Sequence, residues 1–292
     1  MGATADFVRL SRPLFLAGGA LMYGVGIVSG GGTTVASYLL GQLMVTASQL
    51  TAHYVNEYSD IEPDRLVQHR TLFSGGSGVL STGGFAPATA LRAARVSSAI
   101  AVLAALAVWV ISPLAAVLGL LSLLVSWIYS IPPIRLLSTG WGELATSLVV
   151  TVLVPLIGVS VTQTAPPPEL VWAMAVLFPV HLAMMMVFEI PDAETDRVAG
   201  KTVLLVRLGE KLSLISITGL LIGAILIAWI ARPDEMERAA LIPWLAIALV
   251  GLGNILYGVR RRTYGLATAV AVAELVLFGS FFLLYFGKDL TP

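Results

Sequence analysis

The chain has 292 residues, of which 57% are hydrophobic and 12% charged, with a mean hydropathy of +0.90. An ordinary soluble domain is about 45–50% apolar and about 25% charged, so this composition excludes a soluble globular protein. The 17 basic residues balance the 17 acidic residues, so no overall basic surface exists and we expect no nucleic-acid partner. Because the chain has no cysteine, disulfides, thiolate metal sites and cysteine nucleophiles are excluded as well.

Long apolar segments, separated by short glycine, proline or charged breaks, dominate the chain. A membrane-spanning helix needs about 20 mostly apolar residues, because lipid offers no partner to an unpaired backbone group. The sequence therefore predicts an all-α polytopic membrane protein with nine transmembrane helices, in a single domain that covers residues 1–292. The nine segments are 14–30, 35–56, 90–111, 113–130, 142–163, 169–189, 210–231, 239–257 and 265–286.

The basic residues are distributed unevenly between the two sides that nine crossings create. Fourteen of the 17 lie on the side of the N-terminus, and only Arg232, Arg238 and Lys288 lie on the other. Lysine and arginine accumulate on the cytoplasmic side of membrane proteins. We therefore expect an integral membrane protein with a cytoplasmic N-terminus and an external C-terminus.

Two copies of an acidic motif lie at the cytoplasmic ends of the second and sixth segments. Residues 60–65 and 192–197 both read D-x-E-x-D-R, with a constant offset of 132 residues. An offset of four segments keeps both copies on one side of the membrane, which indicates a possible internal duplication involving 56–65 and 188–197. Carboxylates near lipid are costly unless they are paired, solvated or metal-bound, so the clusters indicate a functional site, with solvated loop charge as the alternative.

The spacing within the motifs suits a bound cation. On a helix Asn56, Asp60 and Asp64 share one face, as do Asp192 and Asp196. Mg²⁺ prefers oxygen ligands and is usually held by one or two carboxylates plus substrate phosphates, so two facing motifs predict a Mg²⁺–diphosphate site. Pro63 interrupts regular helix, which favours a loop position for Asp64.

A diphosphate also needs positive partners, and several basic residues lie near the motifs. Arginine suits bidentate contacts to phosphate and lysine suits point-charge contacts, although the same residues could serve membrane topology alone. The string 129–135 ends the fourth segment, where paired prolines could fix Tyr129 and Arg135 near the headgroups. The glycine-rich string 74–78 could present backbone N–H groups to an anion or form a flexible turn. The candidate basic residues are Arg65, Arg70, Arg135, Arg197 and Lys201.

These motifs, with the YSIPPIRL string at 129–136 and the AGKTVLLVRLG string at 199–209, resemble the UbiA superfamily of intramembrane prenyltransferases. The resemblance covers most of the chain. It implies a nine-helix bundle around a central cavity with a cytoplasmic cap, and Mg²⁺-dependent transfer of a prenyl chain from a prenyl diphosphate to an acceptor, often aromatic. The implied catalytic and metal-binding residues are Asp60, Asp64, Asp192 and Asp196. The implied substrate-binding residues are Asn56, Arg65, Arg70, Tyr129, Arg135 and Lys201.

The GGSGVLSTG string at 75–83 and LRAA at 91–94 are most similar to the branch that prenylates 1,4-dihydroxy-2-naphthoate for menaquinone. The chain departs from that branch in the gap of three residues between Asp60 and Asp64 and in the Phe188–Pro191 sequence. Other acceptors therefore stay open: 4-hydroxybenzoate, homogentisate, or a glycerol- or sugar-phosphate lipid. Similarity to quinone-pathway enzymes implies the plasma membrane of a prokaryote.

Polar side chains inside apolar segments are candidates for function because they are expensive in lipid. His53 could contact the acceptor or form a structural hydrogen bond, and Glu274 could face the cavity or pair with Asn254. The role of His181 is left open. A dry cavity would protect an allylic cation from water, and its candidate apolar lining residues are Trp127, Met184, Met185, Met186 and Phe188.

A secondary transporter is the alternative from another functional class. Transporters also combine many helices, internal repeats and charges within the membrane. They place their key charges near the midplane, whereas these acidic motifs lie at helix ends, which favours the transferase.

Overall fold

The computed structural model describes residues 2–67, 69–234 and 236–288, and all regular secondary structure in these ranges is helical. A 3₁₀ turn at Leu136–Ser138 follows α6, and a π-helical turn at Val149–Leu153 joins α7 to α8. The helices are α1 (Ala3–Ser11), α2 (Pro13–Ser29), α3 (Val35–Ser59), α4 (Ile61–Leu66), α5 (Pro87–Ile111), α6 (Pro113–Ile128), α7 (Gly142–Leu148), α8 (Val154–Val161), α9 (Pro168–Glu189), α10 (Ala193–Val198), α11 (Leu204–Ile230), α12 (Arg238–Arg260) and α13 (Tyr264–Gly287).

Each of the nine predicted apolar segments falls on a long helix or on a continuous helical stretch. Among the described residues, seven of these are long and apolar enough to cross a membrane: Ala3–Ser29, Gly142–Val161, α5, α9, α11, α12 and α13. Helix α6 is apolar but has only 16 residues. Helix α3 is long enough, but its hydropathy is lowered by Gln49, His53, Asn56 and other polar side chains. Nine crossings therefore stay a prediction.

Proline and short polar residues set the beginnings of the helices. Pro13, Pro87 and Pro113 lie in the first turn of their helices, where the missing N–H removes no helical hydrogen bond. The Ser112 side chain accepts a hydrogen bond from the Ala115 N–H at 3.2 Å, which caps α6 directly after the end of α5. The Ser-Pro pair thus separates two apolar helices that composition alone would merge.

The two acidic motifs have the same local construction. In each copy a long helix ends, an aspartate follows within one to three residues, and a six-residue helix begins at the next residue. The Asp64 N–H donates to the Asp60 carbonyl and the Asp196 N–H donates to the Asp192 carbonyl, each at 2.8 Å. The expected loop position of Asp64 is wrong, because Pro63 lies in the first turn of α4, where N–H groups have no partner within the helix.

Helices α2, α8, α9 and α13 contribute many side chains to the bundle core. Among its fully buried side chains are Tyr23, Ile157, Leu177 and Phe282. Helices α2 and α8 approach each other closely because both have glycine at the contact. A Cβ on Gly26 would overlap the Pro155 carbonyl, and a Cβ on Gly158 would lie 2.5 Å from the Tyr23 carbonyl oxygen. Small residues of this kind let membrane helices pack backbone to backbone.

We expect Gly26→Ala to destabilise the protein by about 1–3 kcal/mol, because the added methyl group meets backbone atoms of α8 that cannot rotate away. The measurement is the thermal midpoint of the purified protein in detergent or lipid. Gly223→Ala in α11 is the matched control, since a Cβ there has no neighbour within 4 Å. Equal midpoints for the two variants would contradict the close α2–α8 approach.

Candidate active site

A cavity of about 500 Å³ lies inside the bundle, between α2, α3, α6, α8, α9 and α13. Its lining is mostly apolar along the helices, with residues such as Val45, Val154 and Leu275. At one end both acidic motifs join the lining. The cavity therefore has a charged end and an apolar interior, as a ligand with a polar head and an apolar tail requires.

Lys201 joins the two motifs at the charged end. Its Nζ lies 3.0 Å from Asp60 Oδ2 and 3.3 Å from Asp196 Oδ1, and all three side chains are buried. Asn56 Nδ2 donates to Asp60 Oδ2 at 3.0 Å. Arg135 Nη2 lies 3.9 Å from the other oxygen, Asp60 Oδ1. The structure thus brings together residues from α3, α10 and two connecting segments, all of which the sequence analysis selected.

Asp64, Asp192 and Tyr129 complete this end of the cavity lining. Asp192 Oδ1 and Asp60 Oδ1 are buried without a hydrogen-bond partner within the residues that the structure describes. Unsatisfied buried carboxylate oxygens are costly, so their presence at a cavity indicates a ligand-binding surface.

The glycine-rich segment 74–78 packs against the motifs but does not present the anion site that the sequence suggested. The Ser77 N–H and hydroxyl donate to the two oxygens of Glu57, both at 2.6 Å, and the Gly75 backbone N–H faces the Asp192 carboxylate. Gly76 has a positive φ of 69°, and a Cβ there would overlap the Asp64 carboxylate. The segment therefore binds the protein's own carboxylates and holds them in place.

Arg12 is a member of the site that the sequence analysis did not select. Its Nη2 pairs with Glu57 Oε1, and the Arg12 side chain lines the cavity. Glu57 is 2% exposed and receives donors from Arg12 and Ser77. Arg12 precedes the first apolar segment, where a basic residue is expected for topology alone, so its position in the sequence contains no signal for this contact.

Two predicted phosphate contacts are not brought to the cavity. Arg65 is exposed and pairs with Glu62 at 2.6 Å, three residues away on α4. Arg70 is exposed, donates to the Asp64 carbonyl at 2.9 Å, and is absent from the cavity lining. Proximity in sequence to Asp64 does not determine the direction of a long side chain, so the predicted contacts of Arg65 and Arg70 to substrate stay a prediction.

Two glutamates hold the segment that carries Lys201. Glu143 Oε1 accepts the Leu204 N–H at 2.7 Å, and Glu189 Oε2 accepts the Leu205 N–H at 3.2 Å. These are unpaired amides at the N-terminus of α11, which favours negative charge. The cap begins three residues after Lys201, so Glu143 and Glu189 limit where its ammonium can lie. Glu143 was not selected from the sequence, because a single acid in an apolar segment has no spacing pattern.

Burial and neighbouring charges shift the pKa values of three groups at the charged end, Asp64, Asp192 and Lys201. Burial, then the neighbouring Glu57 and Asp60 charges, raise the pKa of Asp64 to about 7. Burial, then Asp196 and Asp64, raise the pKa of Asp192 to about 7. Burial tends to lower the pKa of Lys201, but attraction to Asp60 and Asp196 outweighs it, so that this pKa is raised and the ammonium is charged at neutral pH.

Aromatic rings line the cavity next to the charged end. Phe73 and Phe188 are stacked with centroids 5.9 Å apart, and Phe15 meets both edge-on. Of the expected apolar lining residues, Met184, Met185 and Phe188 line the cavity. Met186 is instead buried in the core, and Trp127 is turned away, donating to Ser98 Oγ at 3.0 Å.

The polar residues within the long helices have different environments. His53 and His181 line the cavity, and His181 Nδ1 lies 3.0 Å from Ser147 Oγ. Glu274 is buried against Gly251 of α12 and does not line the cavity. The suggested pairing of Glu274 with Asn254 is wrong, since Asn254 is exposed and donates to the Val250 carbonyl of its own helix.

Comparison with known proteins identifies the class to which this fold and site belong. The UbiA prenyltransferase family matches residues 15–285, and the chain belongs to this family. It is therefore an integral membrane prenyltransferase, and the resemblance noted from the motifs is confirmed at the level of the family. No curated protein matches the chain.

Solved structures share the fold across nearly the whole chain. A UbiA homologue from Archaeoglobus fulgidus, bound to DMAPP and Mg²⁺, has a TM-score of 0.77 at 19% identity and covers 98% of this chain and 99% of its own. A UbiA homologue from Aeropyrum pernix K1 has a TM-score of 0.68 at 16% identity, covering 92% and 97%. A digeranylgeranylglyceryl phosphate synthase has a TM-score of 0.64 at 18% identity, covering 98% of both chains.

We expect the stability of the protein in EDTA to fall as the pH rises from about 5.5 to about 8, and to fall less in Asp64→Asn. The folded-state pKa of Asp64 is raised, so the folded protein binds more protons than the unfolded chain in this window. Stability from this group is present at low pH and is lost as the pH approaches 7. Thermal midpoints across the range measure the effect. Glu62→Gln, which changes an exposed acid of the same helix, should keep the wild-type slope.

We also expect Glu143→Ala to loosen the segment that carries Lys201, because the Leu204 N–H loses its acceptor. Loss of a helix cap of this kind costs about 0.5–2 kcal/mol. Hydrogen exchange of residues 199–206 should become faster, while Glu143→Gln, which retains an acceptor oxygen, should change it less. Unchanged exchange in Glu143→Ala would show that the cap does not restrain this segment.

Proposed function

We propose that the protein transfers a prenyl chain from a prenyl diphosphate to an aromatic acceptor in a Mg²⁺-dependent reaction. The observation that carries the proposal is the meeting of both acidic motifs at the charged end of an apolar cavity, where Lys201 lies between Asp60 and Asp196. The combination suits a ligand with a diphosphate head and an isoprenoid tail. The bound DMAPP and Mg²⁺ of the Archaeoglobus fulgidus homologue support the same interpretation.

The residues present fit Mg²⁺. Asp60 and Asp192 each have a buried carboxylate oxygen without a hydrogen-bond partner, and carboxylates are the hard oxygen ligands that this ion prefers. Within the described ranges no three acidic or histidine side chains form a closed metal cage. This agrees with an ion held by one or two carboxylates and completed by phosphate oxygens and water.

We assign Asp60, Asp64, Asp192 and Asp196 to the metal-bound diphosphate. When bound, Mg²⁺ would neutralise negative charge on the leaving group. Lys201 and Arg135 provide positive charge at the same place, Asn56 orients Asp60, and Tyr129 lines the wall beside them. Arg70 serves to fix α4 through the Asp64 carbonyl, and we assign neither Arg65 nor Arg70 a contact to substrate.

The chemistry follows from this distribution of charge. As the allylic C–O bond breaks, negative charge grows on the diphosphate, where the Lys201 ammonium and the Arg135 guanidinium stabilise it. The positive carbon faces the aromatic and thioether side chains of Phe73, Phe188 and Met184, which exclude water from the cation. An electron-rich ring of the acceptor then forms the new C–C bond.

The acceptor that we propose is 1,4-dihydroxy-2-naphthoate, on the basis of the strings at 75–83 and 91–94. The ring cluster of Phe15, Phe73 and Phe188 supports a flat aromatic acceptor. A glycerol-phosphate lipid is the second candidate, since one protein of the same fold is a digeranylgeranylglyceryl phosphate synthase. The transporter alternative is set aside because the family consists of prenyltransferases.

We further propose a single domain with nine crossings, in which α4, α10 and the segment 69–86 form a cytoplasmic cap over the cavity. The positive-inside distribution supports a cytoplasmic N-terminus and an external C-terminus, in the plasma membrane of a prokaryote. The shared construction of the two acidic motifs supports an internal duplication.

The decisive experiment measures prenylated product and diphosphate release by the purified protein in lipid, with and without Mg²⁺. Geranylgeranyl diphosphate is the donor, and the acceptors are 1,4-dihydroxy-2-naphthoate, 4-hydroxybenzoate, homogentisate and glycerol phosphate lipid. Product with the naphthoate alone would support the proposed acceptor. Product with the lipid alone would replace it, and Mg²⁺-independent product would contradict the proposed metal site.

We expect Asp60→Asn and Asp192→Asn each to lower turnover by about 10²–10³-fold, because each removes a carboxylate that would hold Mg²⁺ against the leaving diphosphate. Glu62→Gln and Glu194→Gln are matched controls, since these acids belong to the same two motifs but are exposed and outside the cavity lining. Initial rates at saturating Mg²⁺ measure the effect. Unchanged rates in both aspartate variants would remove these carboxylates from the mechanism.

A further inference from the structure

His53 has a defined protonation pattern within the cavity wall. Its Nδ1 lies 3.0 Å from the Ser11 carbonyl oxygen. A carbonyl oxygen can only accept, so Nδ1 carries the hydrogen and the neutral ring keeps a lone pair on Nε2. Within the described residues Nε2 has no hydrogen-bond partner, and the His53 side chain lines the cavity. The ring therefore offers a basic nitrogen to whatever the cavity binds.

Aromatic rings line the cavity next to His53. The Phe15 ring meets the His53 ring edge-on at 5.8 Å, and the stacked pair of Phe73 and Phe188 meets Phe15 at 5.8 and 6.0 Å. All four rings line the cavity. Such a wall favours a flat ring over a flexible polar ligand, because aromatic pairs gain from edge and offset contacts.

The position of His53 relative to the acidic motif suits the acceptor of the reaction. His53, Asn56 and Asp60 lie at spacings of three and four residues on one face of α3 and its end, and all three line the cavity. Seven residues of helix are about 10 Å, which separates His53 from the metal-binding end and leaves room for a ring in between. The charged groups that act on His53 are Arg12 and Glu57, which pair with each other.

We propose that His53 is a catalytic base whose Nε2 accepts the proton of the acceptor's ring hydroxyl. The inference rests on the proposed aromatic acceptor. As the hydroxyl proton passes to Nε2, the ring carbon forms the C–C bond to the allylic carbon, and the C–O electron pair leaves with the diphosphate. The resulting dienone loses the ring proton from the alkylated carbon to the diphosphate. His53 returns its proton to the ring oxygen, so the net products are the prenylated phenol, diphosphate and one proton.

A purely structural role would explain His53 through its bond to Ser11, which ties the end of α1 to α3. The two roles separate in His53→Asn, because an asparagine amide nitrogen takes the place of Nδ1 and can still donate to the Ser11 carbonyl, while no basic nitrogen remains. His53→Gln is a second variant that reaches further into the cavity and also lacks a base. Both are checked for folding by the stabilisation that Mg²⁺ with geranylgeranyl diphosphate confers on each.

The experiment varies the acidity of the acceptor rather than the pH, because Asp64 and Asp192 also titrate near pH 7. The probe pair is the acceptor that the wild type prenylates and its analogue with fluorine beside the hydroxyl, for example 4-hydroxybenzoate and 3-fluoro-4-hydroxybenzoate. We expect His53→Asn to lower turnover of the parent acceptor by about 10²–10⁴-fold, and to lower turnover of the more acidic analogue clearly less. The KM for the prenyl diphosphate should not change.

His69→Asn is the matched control, because His69 is exposed and contacts the Tyr264 ring in a tilted geometry outside the cavity lining. Equal losses with both acceptors in His53→Asn would overturn the base and leave a structural role, and so would full turnover in that variant. A wild type that prenylates no aromatic acceptor would overturn the proposed function itself. The tautomer is tested without turnover by ¹⁵N NMR of histidine-labelled protein. A protonated Nε2 of His53 would overturn the proposed base and leave the proposed function intact.

Discussion

The charged end of the cavity depends on one buried cation between two sets of carboxylates. Buried acids destabilise a fold unless donors or opposite charges compensate them. Lys201 compensates Asp60 and Asp196 together, at 3.0 and 3.3 Å, and thereby holds the end of α3 close to α10. These elements belong to the two copies of the acidic motif. The ion pairs that compensate the buried negative charge therefore also bring both motifs to one cavity.

The remaining acids are held largely by backbone and hydroxyl donors, to which Arg12 adds a charged donor at Glu57. Backbone and hydroxyl donors of Ser77 satisfy Glu57, and the Gly75 N–H serves Asp192. Glu143 and Glu189 face the free amides at the start of α11. A buried backbone amide needs a hydrogen-bond partner in any case, so its bond to a carboxylate adds no desolvation cost of its own. The edges of the cluster are therefore hydrogen-bonded, while Asp60 Oδ1 and Asp192 Oδ1 have no hydrogen-bond partner among the described residues.

The apolar interior of the cavity must keep water away from the substrate. A prenyl chain and its reactive carbon must lie where water does not enter, directly beside groups that are strongly hydrated elsewhere. The cavity lining changes from charged to aromatic within about two helical turns. The change runs from Asp60 back to His53 along α3, and from Asp192 back to Phe188 at the end of α9. Aromatic rings suit this boundary because their apolar faces tolerate both a cation and a neighbouring polar group.

The sequence alone determined the membrane character, the helical segments and the two D-x-E-x-D-R motifs, because hydropathy and short-range spacing are properties of neighbouring residues. It also selected Asp60, Lys201 and Arg135, whose grouping the structure shows. It could not identify Arg12 or Glu143, since their contacts join residues 45 and 61 positions apart. It could not show that Arg65 and Arg70 lie outside the cavity lining, because side-chain direction is set by packing. Only the tertiary structure decided that the glycine-rich segment binds the protein's own carboxylates and that the His53 ring, tied to the Ser11 carbonyl through Nδ1, lines the cavity, since both depend on long-range hydrogen bonds.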